Sequence, residues 1–201
     1  LKDLFLLVAD IDMEKALDTL IKRRTQSLGI KNISFDIKRH PEHDSGIYNY
    51  GVEFIRTFQK DYQKFILLFD YDGCGSASSP EQIRTELLQE AAACGFQSNS
   101  VEVIVINPEL ELWAWKSKYH IGQMIGWKTS QINSWLQNNN IPIVKGKPKR
   151  PKEAYEGLLH RALVANSSSN FAKLASKIGL KNCNDLAFQL LIETLRRWFQ
   201  P

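Results

Sequence analysis

Cysteine is scarce and scattered. Cys74, Cys94 and Cys183 are the only three in 201 residues, an odd number without a C-x-x-C pair, which argues against a disulfide framework or a zinc site and for a reducing cytoplasm. No apolar stretch approaches the ~20 residues that a membrane-spanning helix needs, so no membrane association is expected. The N-terminal "LKDLFLLVAD" is interrupted by charge and lacks a signal-peptide cleavage pattern, which predicts an intracellular protein with its first strand near the start. Internal repeats and low-complexity segments are also missing. A content of 43% hydrophobic and 24% charged residues is that of a soluble globular chain and argues against disorder. The net charge of +4 is too small to imply a polyanion partner alone. Its distribution says more: "KGKPKRPK" (145–152) holds Lys145, Lys147, Lys149, Arg150 and Lys152 with no acid among them, either a solvated loop or a patch that phosphate backbones attract.

What is present is an alternation of strand and helix patterns. "LFLLVAD" (4–10) is a continuous apolar run of strand length, followed by Met13, Ala16, Leu17, Leu20, Ile21 and Leu28 at helical spacing up to Gly29. "NISFDIKRH" (32–40) alternates Ile33, Phe35 and Ile37 with polar neighbours, as a strand near an edge does. The polar "PEHDSG" (41–46) reads as a loop. Residues 48–60 then carry Val52, Ile55 and Phe58 on a helical face, and "KFILLFD" (64–70) reads as a strand buried on both faces. Pro80 opens a helix over 81–94 that Gly95 ends, "VEVIVIN" (101–107) is a fourth strand, and Asn107-Pro108 reads as an N-cap with proline at the first helical position.

Four strands separated by helices predict an α/β fold with a mostly parallel, doubly wound sheet over residues 1–117, because parallel neighbours need crossover connections. Residues 118–201 show only helical patterns, at 121–125, 129–138, 151–164, 168–178 and 184–199. Pro142, Pro148 and Pro151 mark 139–150 as an internal basic loop. The helical region is expected to pack on the sheet domain as one compact unit.

Ligands of open parallel sheets bind beyond the carboxyl ends of the strands. Asp70 and Asp72 lie there, two residues apart, so an extended chain would turn both carboxylates to one side while Gly73 and Gly75 allow a tight turn behind them. Converging carboxylates fit a hard cation such as Mg²⁺; the same residues also fit an Asx-turn or a helix cap. Other strand ends add Asp10 and Asp12 after the first strand, and Glu109 and Glu111 in "INPELELW" after the fourth. Acids at three strand ends favour a shared cation. On a helix beginning at Pro108, the two glutamates stand ~200° apart, so only one is expected to face the site; the alternative for each is a favourable interaction with the helix dipole.

These segments resemble the topoisomerase–primase (Toprim) fold: an apolar first strand ending near an acid, a later strand ending in D-x-D, and a fourth strand followed by E-x-W. The resemblance covers about the first 117 residues. More narrowly, "LFLLVADIDMEKAL", "RHPEHDSG", "FDYDGCG", "NPELELWAW" and "KPKRPKEA" together look like a small family found beside methylation-associated antiphage defence systems. The resemblance implies that Asp70 and Asp72 bind Mg²⁺ or Mn²⁺, that Glu111 is the acid before tryptophan, and that the substrate is nucleic acid. Toprim enzymes carry a glutamate at the end of the first strand, where this chain has Ala9; Asp10 is the nearest acid that could replace it.

His40, His43 and Asp44 have spacing compatible with a metal or phosphate contact, although two histidines do not complete a site and a structural or solvent-exposed role is favoured. The five tryptophans fall mostly at core positions of helical patterns. Ser167 to Ser169 read as a helix N-cap. Two functions follow as expectations. One is a Mg²⁺-dependent nuclease or phosphoryl-transfer enzyme of antiphage defence, with Asp70 and Asp72 on the metal, Glu111 and Asp10 completing its shell or moving protons, and Lys147, Lys149, Arg150 and Lys152 on phosphates. The other is a catalytically silent Toprim-like module, binding nucleic acid or a defence partner protein.

Overall fold

The computed structural model describes residues 1–180 and 185–201; Cys183 and the first residue of the helix expected from 184 lie outside the described residues. The elements are β1 (Lys2–Val8), α1 (Ile11–Arg23), α2 (Thr25–Leu28), β2 (Phe35–Arg39), α3 (His43–Arg56), β3 (Tyr62–Asp70), α4 (Tyr71–Cys74), α5 (Pro80–Ala93), β4 (Val101–Ile106), α6 (Glu111–Ala114), α7 (Lys118–Ile125), α8 (Thr129–Asn138), β5 (Ile143–Val144), β6 (Lys147–Pro148), α9 (Pro151–Arg161), α10 (Ser168–Lys177) and α11 (Leu186–Trp198).

β1 to β4 form one parallel sheet in the order β2-β1-β3-β4. Every residue from Leu4 to Val8 and from Phe65 to Phe69 is buried. These continuous apolar runs belong to the two central strands, which are covered by helices on both faces. β2 is an edge strand, as its alternation predicts. Right-handed crossovers place α1 on one face and α3 with α5 on the other. α3 and α5 pack together, while α10 packs on α1 and α11 on β4. No helix among the described residues is long and apolar enough to cross a membrane.

One buried charge ties the layers. Glu102 on β4 is 2% exposed and pairs with Arg84 of α5 at 2.7 Å and Arg197 of α11 at 3.2 Å. Two helices that both pack on β4 thus meet the same carboxylate, which satisfies a charge that could not otherwise be buried.

The structure departs from the sequence reading in three places. "PEHDSG" is not a loop throughout: α3 begins at His43. The helix expected from Pro108 begins at Glu111, after a cis Asn107-Pro108 peptide. Residues 139–150 include a β-hairpin, in which Ile143 pairs with Pro148 and Val144 with Lys147. Its two-residue turn, Lys145-Gly146, has φ of 49° and 80°, the doubly positive pattern that suits the twist of a tight hairpin.

Candidate functional site

In the order β2-β1-β3-β4 the chain leaves β1 for a neighbour on one side and later returns to its other side, so the switch point lies between the carboxyl ends of β1 and β3. The register pairs Val8 with Leu68. Continued two residues further, it brings Asp10 level with Asp70.

Asp70 closes β3. Its backbone N–H donates to Asp44 Oδ1 at 2.8 Å. Its own Oδ1 is fully buried and has no hydrogen-bond partner. The chain turns helical at once, with α4 starting at Tyr71, so the extended geometry that would align Asp70 with Asp72 does not exist. Asp72 is exposed, and its charge acts on Glu109. Asp44 fills the space beside Asp70 instead. A Cβ on Gly73 would stand 2.4 Å from Asp44 Oδ2, so the glycine there is what admits Asp44.

At the end of β1, Ala9 is fully buried. Asp10 remains extended and its Oδ1 caps α1, accepting from the N–H groups of Asp12 and Met13, each at 2.9 Å. Its charge is nonetheless felt at Asp70, Asp44, Asp12 and Glu111. Asp10 therefore reaches the cluster while serving as a cap.

The two histidines hold backbone. His40 is buried, and its Nδ1 accepts from the Glu42 N–H at 3.2 Å. His43 has φ of 52°, and its Nδ1 donates to the Ala9 carbonyl at 3.0 Å, since a carbonyl can only accept. His43 and the adjacent Asp44 thus tie the start of α3 to the ends of β1 and β3. Both Nδ1 atoms are committed to backbone partners.

After β4 the two glutamates separate. Glu109 precedes α6, and its Oε1 accepts the Lys152 N–H at 2.8 Å, capping the first turn of α9, which has no side-chain cap of its own. Glu111 opens α6 and is 7% exposed. Trp113 Nε1 donates to Asp185 Oδ1 and Trp115 Nε1 to the Pro151 carbonyl, both at 2.9 Å. These indoles seat α6 and hence Glu111.

Burial, and then the charges of Asp44, Glu111, Asp10 and Glu109, raise the Asp70 carboxyl well above its ordinary range. Burial also lifts Glu111 to about 7, with Glu109 and Asp10 adding to it, and Asp12 to about 6, with Asp10 adding to it. Asp44 and Glu109 move up mainly for the same reason. Lys152 answers them. Burial works against its ammonium, yet Glu111, Glu109, Glu156 and Asp70 hold its pKa above the usual value. Beneath them Tyr155 is fully buried, its hydroxyl pushed up by burial and by the charges of Glu111 and Asp12.

The donors suit a hard cation. Asp70 Oδ1 is an orphaned buried acceptor within a field of carboxylates, and a divalent ion would satisfy it. Among the described residues no group of three or more His, Cys, Asp or Glu forms a ready coordination shell. Mg²⁺ does not require one, since one or two carboxylates with water and substrate phosphate complete its octahedron; Asp70 and Glu111 are the residues that would hold it. Asp12 was named among the strand-end acids without a role of its own, and Asp44 was given only an accessory part. The signal for Asp44 was Ile47, which extends the apolar stripe of Val52 and Ile55 one turn back and starts the helix at His43.

The basic segment divides. Lys145, Lys147 and Lys149 line a cleft of about 490 Å³ together with Asn107, Pro108 and Leu112, the residues that flank Glu109 and Glu111 in the chain. Arg150 is exposed and pairs with Glu153 at 3.8 Å, and Lys152 faces the carboxylates. Comparison with protein-family models, with curated proteins and with solved structures found no match.

Proposed function

We propose that this chain is a divalent-metal-dependent nuclease or phosphoryl-transfer enzyme acting on nucleic acid, a Toprim-like protein of cytoplasmic antiphage defence. The observation that carries the reading is the buried, unpartnered Oδ1 of Asp70 at the switch point of a parallel sheet. An acceptor in that position has a use if a cation binds and is a net destabilisation otherwise. Asp70 and Glu111 would hold Mg²⁺ or Mn²⁺, which when bound polarises a phosphoryl oxygen and lowers the pKa of water. Glu111, with a proton affinity near neutrality, is suited to take or return a proton. Lys152 supplies positive charge against a phosphate. The defence setting and the Toprim likeness rest on the sequence resemblance.

A second reading, a catalytically silent module binding nucleic acid or a defence partner protein, is favoured by Ala9 in place of glutamate and by the use of Asp10 Oδ1 as a helix cap. Incubating single- and double-stranded DNA and RNA with the protein and Mg²⁺ or Mn²⁺, beside Asp70→Asn and beside chelator, separates the two. Cleavage that needs the metal and Asp70 is expected. Cleavage equal in Asp70→Asn, or none on any substrate, removes the enzyme reading.

A further inference from the structure

We infer that the cleft lined by Lys145, Lys147 and Lys149 binds one strand of nucleic acid, so that the substrate class is single-stranded. This rests on the reading of the cluster as a phosphodiester-cleaving centre. The β5–β6 hairpin forms one wall, the N-terminal turns of α5 and α11 form the other, and Asn107 and Pro108 lie between. Among the described residues the side chains of Lys145, Lys147 and Lys149 make no hydrogen bond or ion pair, so three ammonium groups face one cleft without partners. Of the two acids among the described residues that line it, Asp185 has Oδ1 engaged by the Trp113 indole and the Phe188 N–H, and Glu81 is exposed at the start of α5. Two helix N-termini add partial positive charge. The balance favours an anion.

Size and chemistry narrow the anion. About 490 Å³ falls in the range of small-molecule pockets, roughly 300 to 1,000 Å³. That volume matches a nucleotide or two of one strand. Lys147 and Lys149 are two residues apart on an extended segment, the spacing that puts side chains on one side. Among the described residues no aromatic lines the cleft, so bases have no stacking platform there and recognition falls on phosphates, indifferent to sequence. Both walls run on into the cluster: 107–108 leads to Glu109 and Glu111, and 145–149 leads to Lys152. A strand lying in the cleft therefore runs along the chain that carries Glu109, Glu111 and Lys152.

Fluorescence anisotropy in chelator and low salt tests this without turnover, using fluorescein-labelled dT12, U12 and a 12-base-pair duplex. Both single strands should bind at least tenfold more tightly than the duplex. The variant Lys145→Ala/Lys147→Ala/Lys149→Ala should lose more than tenfold of that affinity, and its salt slope should fall by about 2, at ~0.7 per phosphate contact on a single strand. Asp70→Asn should bind the strands at least as well as the wild type, so absence of cleavage leaves this result standing. Equal affinity for duplex, unchanged binding by the triple variant with its circular dichroism intact, or no oligonucleotide binding at all would overturn the inference, the last pointing to an acidic protein segment as occupant.

Discussion

Replacing Glu111 with glutamine should make the protein more stable at alkaline pH. Burial holds the Glu111 carboxyl protonated up to about 7, whereas in an unfolded chain it loses its proton near the ordinary 4.5. Between those two values the folded state binds more protons than the unfolded one, so stability falls as pH rises through the window. At ~1.36 kcal/mol per pH unit of difference, ionised Glu111 destabilises the wild type by on the order of 3 kcal/mol above pH 7. Glutamine has the shape of the protonated acid and never ionises. In urea titrations without divalent metal, Glu111→Gln should gain about 3 kcal/mol over the wild type at pH 8.5 and nearly nothing at pH 4.5. At ~2 to 4 °C per kcal/mol for a chain of this size, its melting temperature at pH 8.5 should rise by roughly 6 to 12 °C. Saturating Mg²⁺ should stabilise the wild type and narrow the gap, since a ligand of the folded state adds stability by mass action. A gap independent of pH, or a variant less stable at pH 8.5, would refute the argument, showing that Lys152 already neutralises the carboxylate.

Asp10 is both a cap and a charge, and Asp10→Ser separates the two. Serine keeps the cap, so stability should stay near wild type, whereas Asp10→Ala should lose about 0.5 to 2 kcal/mol in a denaturation curve; activity unchanged in Asp10→Ser would reduce Asp10 to its structural part. Gly73→Ala puts a Cβ against Asp44 Oδ2 and should cost about 1 to 3 kcal/mol, with unchanged unfolding indicating that Asp44 swings aside freely. Glu102→Gln leaves two arginines that can turn to water, one 38% and one 59% exposed, so the loss should be about 1 to 3 kcal/mol rather than the 3 to 5 of a fully buried pair. A neutral outcome in thermal melts would mean the triad does not hold α5 and α11 to the sheet.

The parallel sheet was legible because its central strands are continuous apolar runs and its edge strand alternates. The acids at the strand ends could be named for the same reason. Their partnership could not. Whether Asp70 meets Asp72 or Asp44 depends on one backbone choice at Tyr71, and periodicity cannot see where a strand turns helical within a single residue. Asp44 was hidden because Gly46 and Gly51 interrupt the helical pattern from His43, although both fit close contacts: a Cβ at Gly46 would reach within 2.1 Å of His40 Nδ1, and one at Gly51 within 3.1 Å of Ile47. The hairpin in the basic segment escaped because two-residue strands carry no period. Lys152 was grouped with the other basic residues by proximity in sequence, and the first turn of α9 sets it in the field of Glu111 and Glu109.

The short helix α6 has a consequence for how the site is assembled. Four residues form a single turn, too few to stand alone in water, and its two indole N–H groups fasten it to Asp185 at the start of α11 and to Pro151 at the start of α9. Glu111 is therefore held by chain made long after it, 36 and 72 positions further on from the two tryptophans. During synthesis the sheet can be complete while this acid still lacks its seat. Asp10, Asp44 and Asp70 are brought together by the sheet and α3 alone, and Glu111 adds its like charge to them only once the C-terminal helices dock.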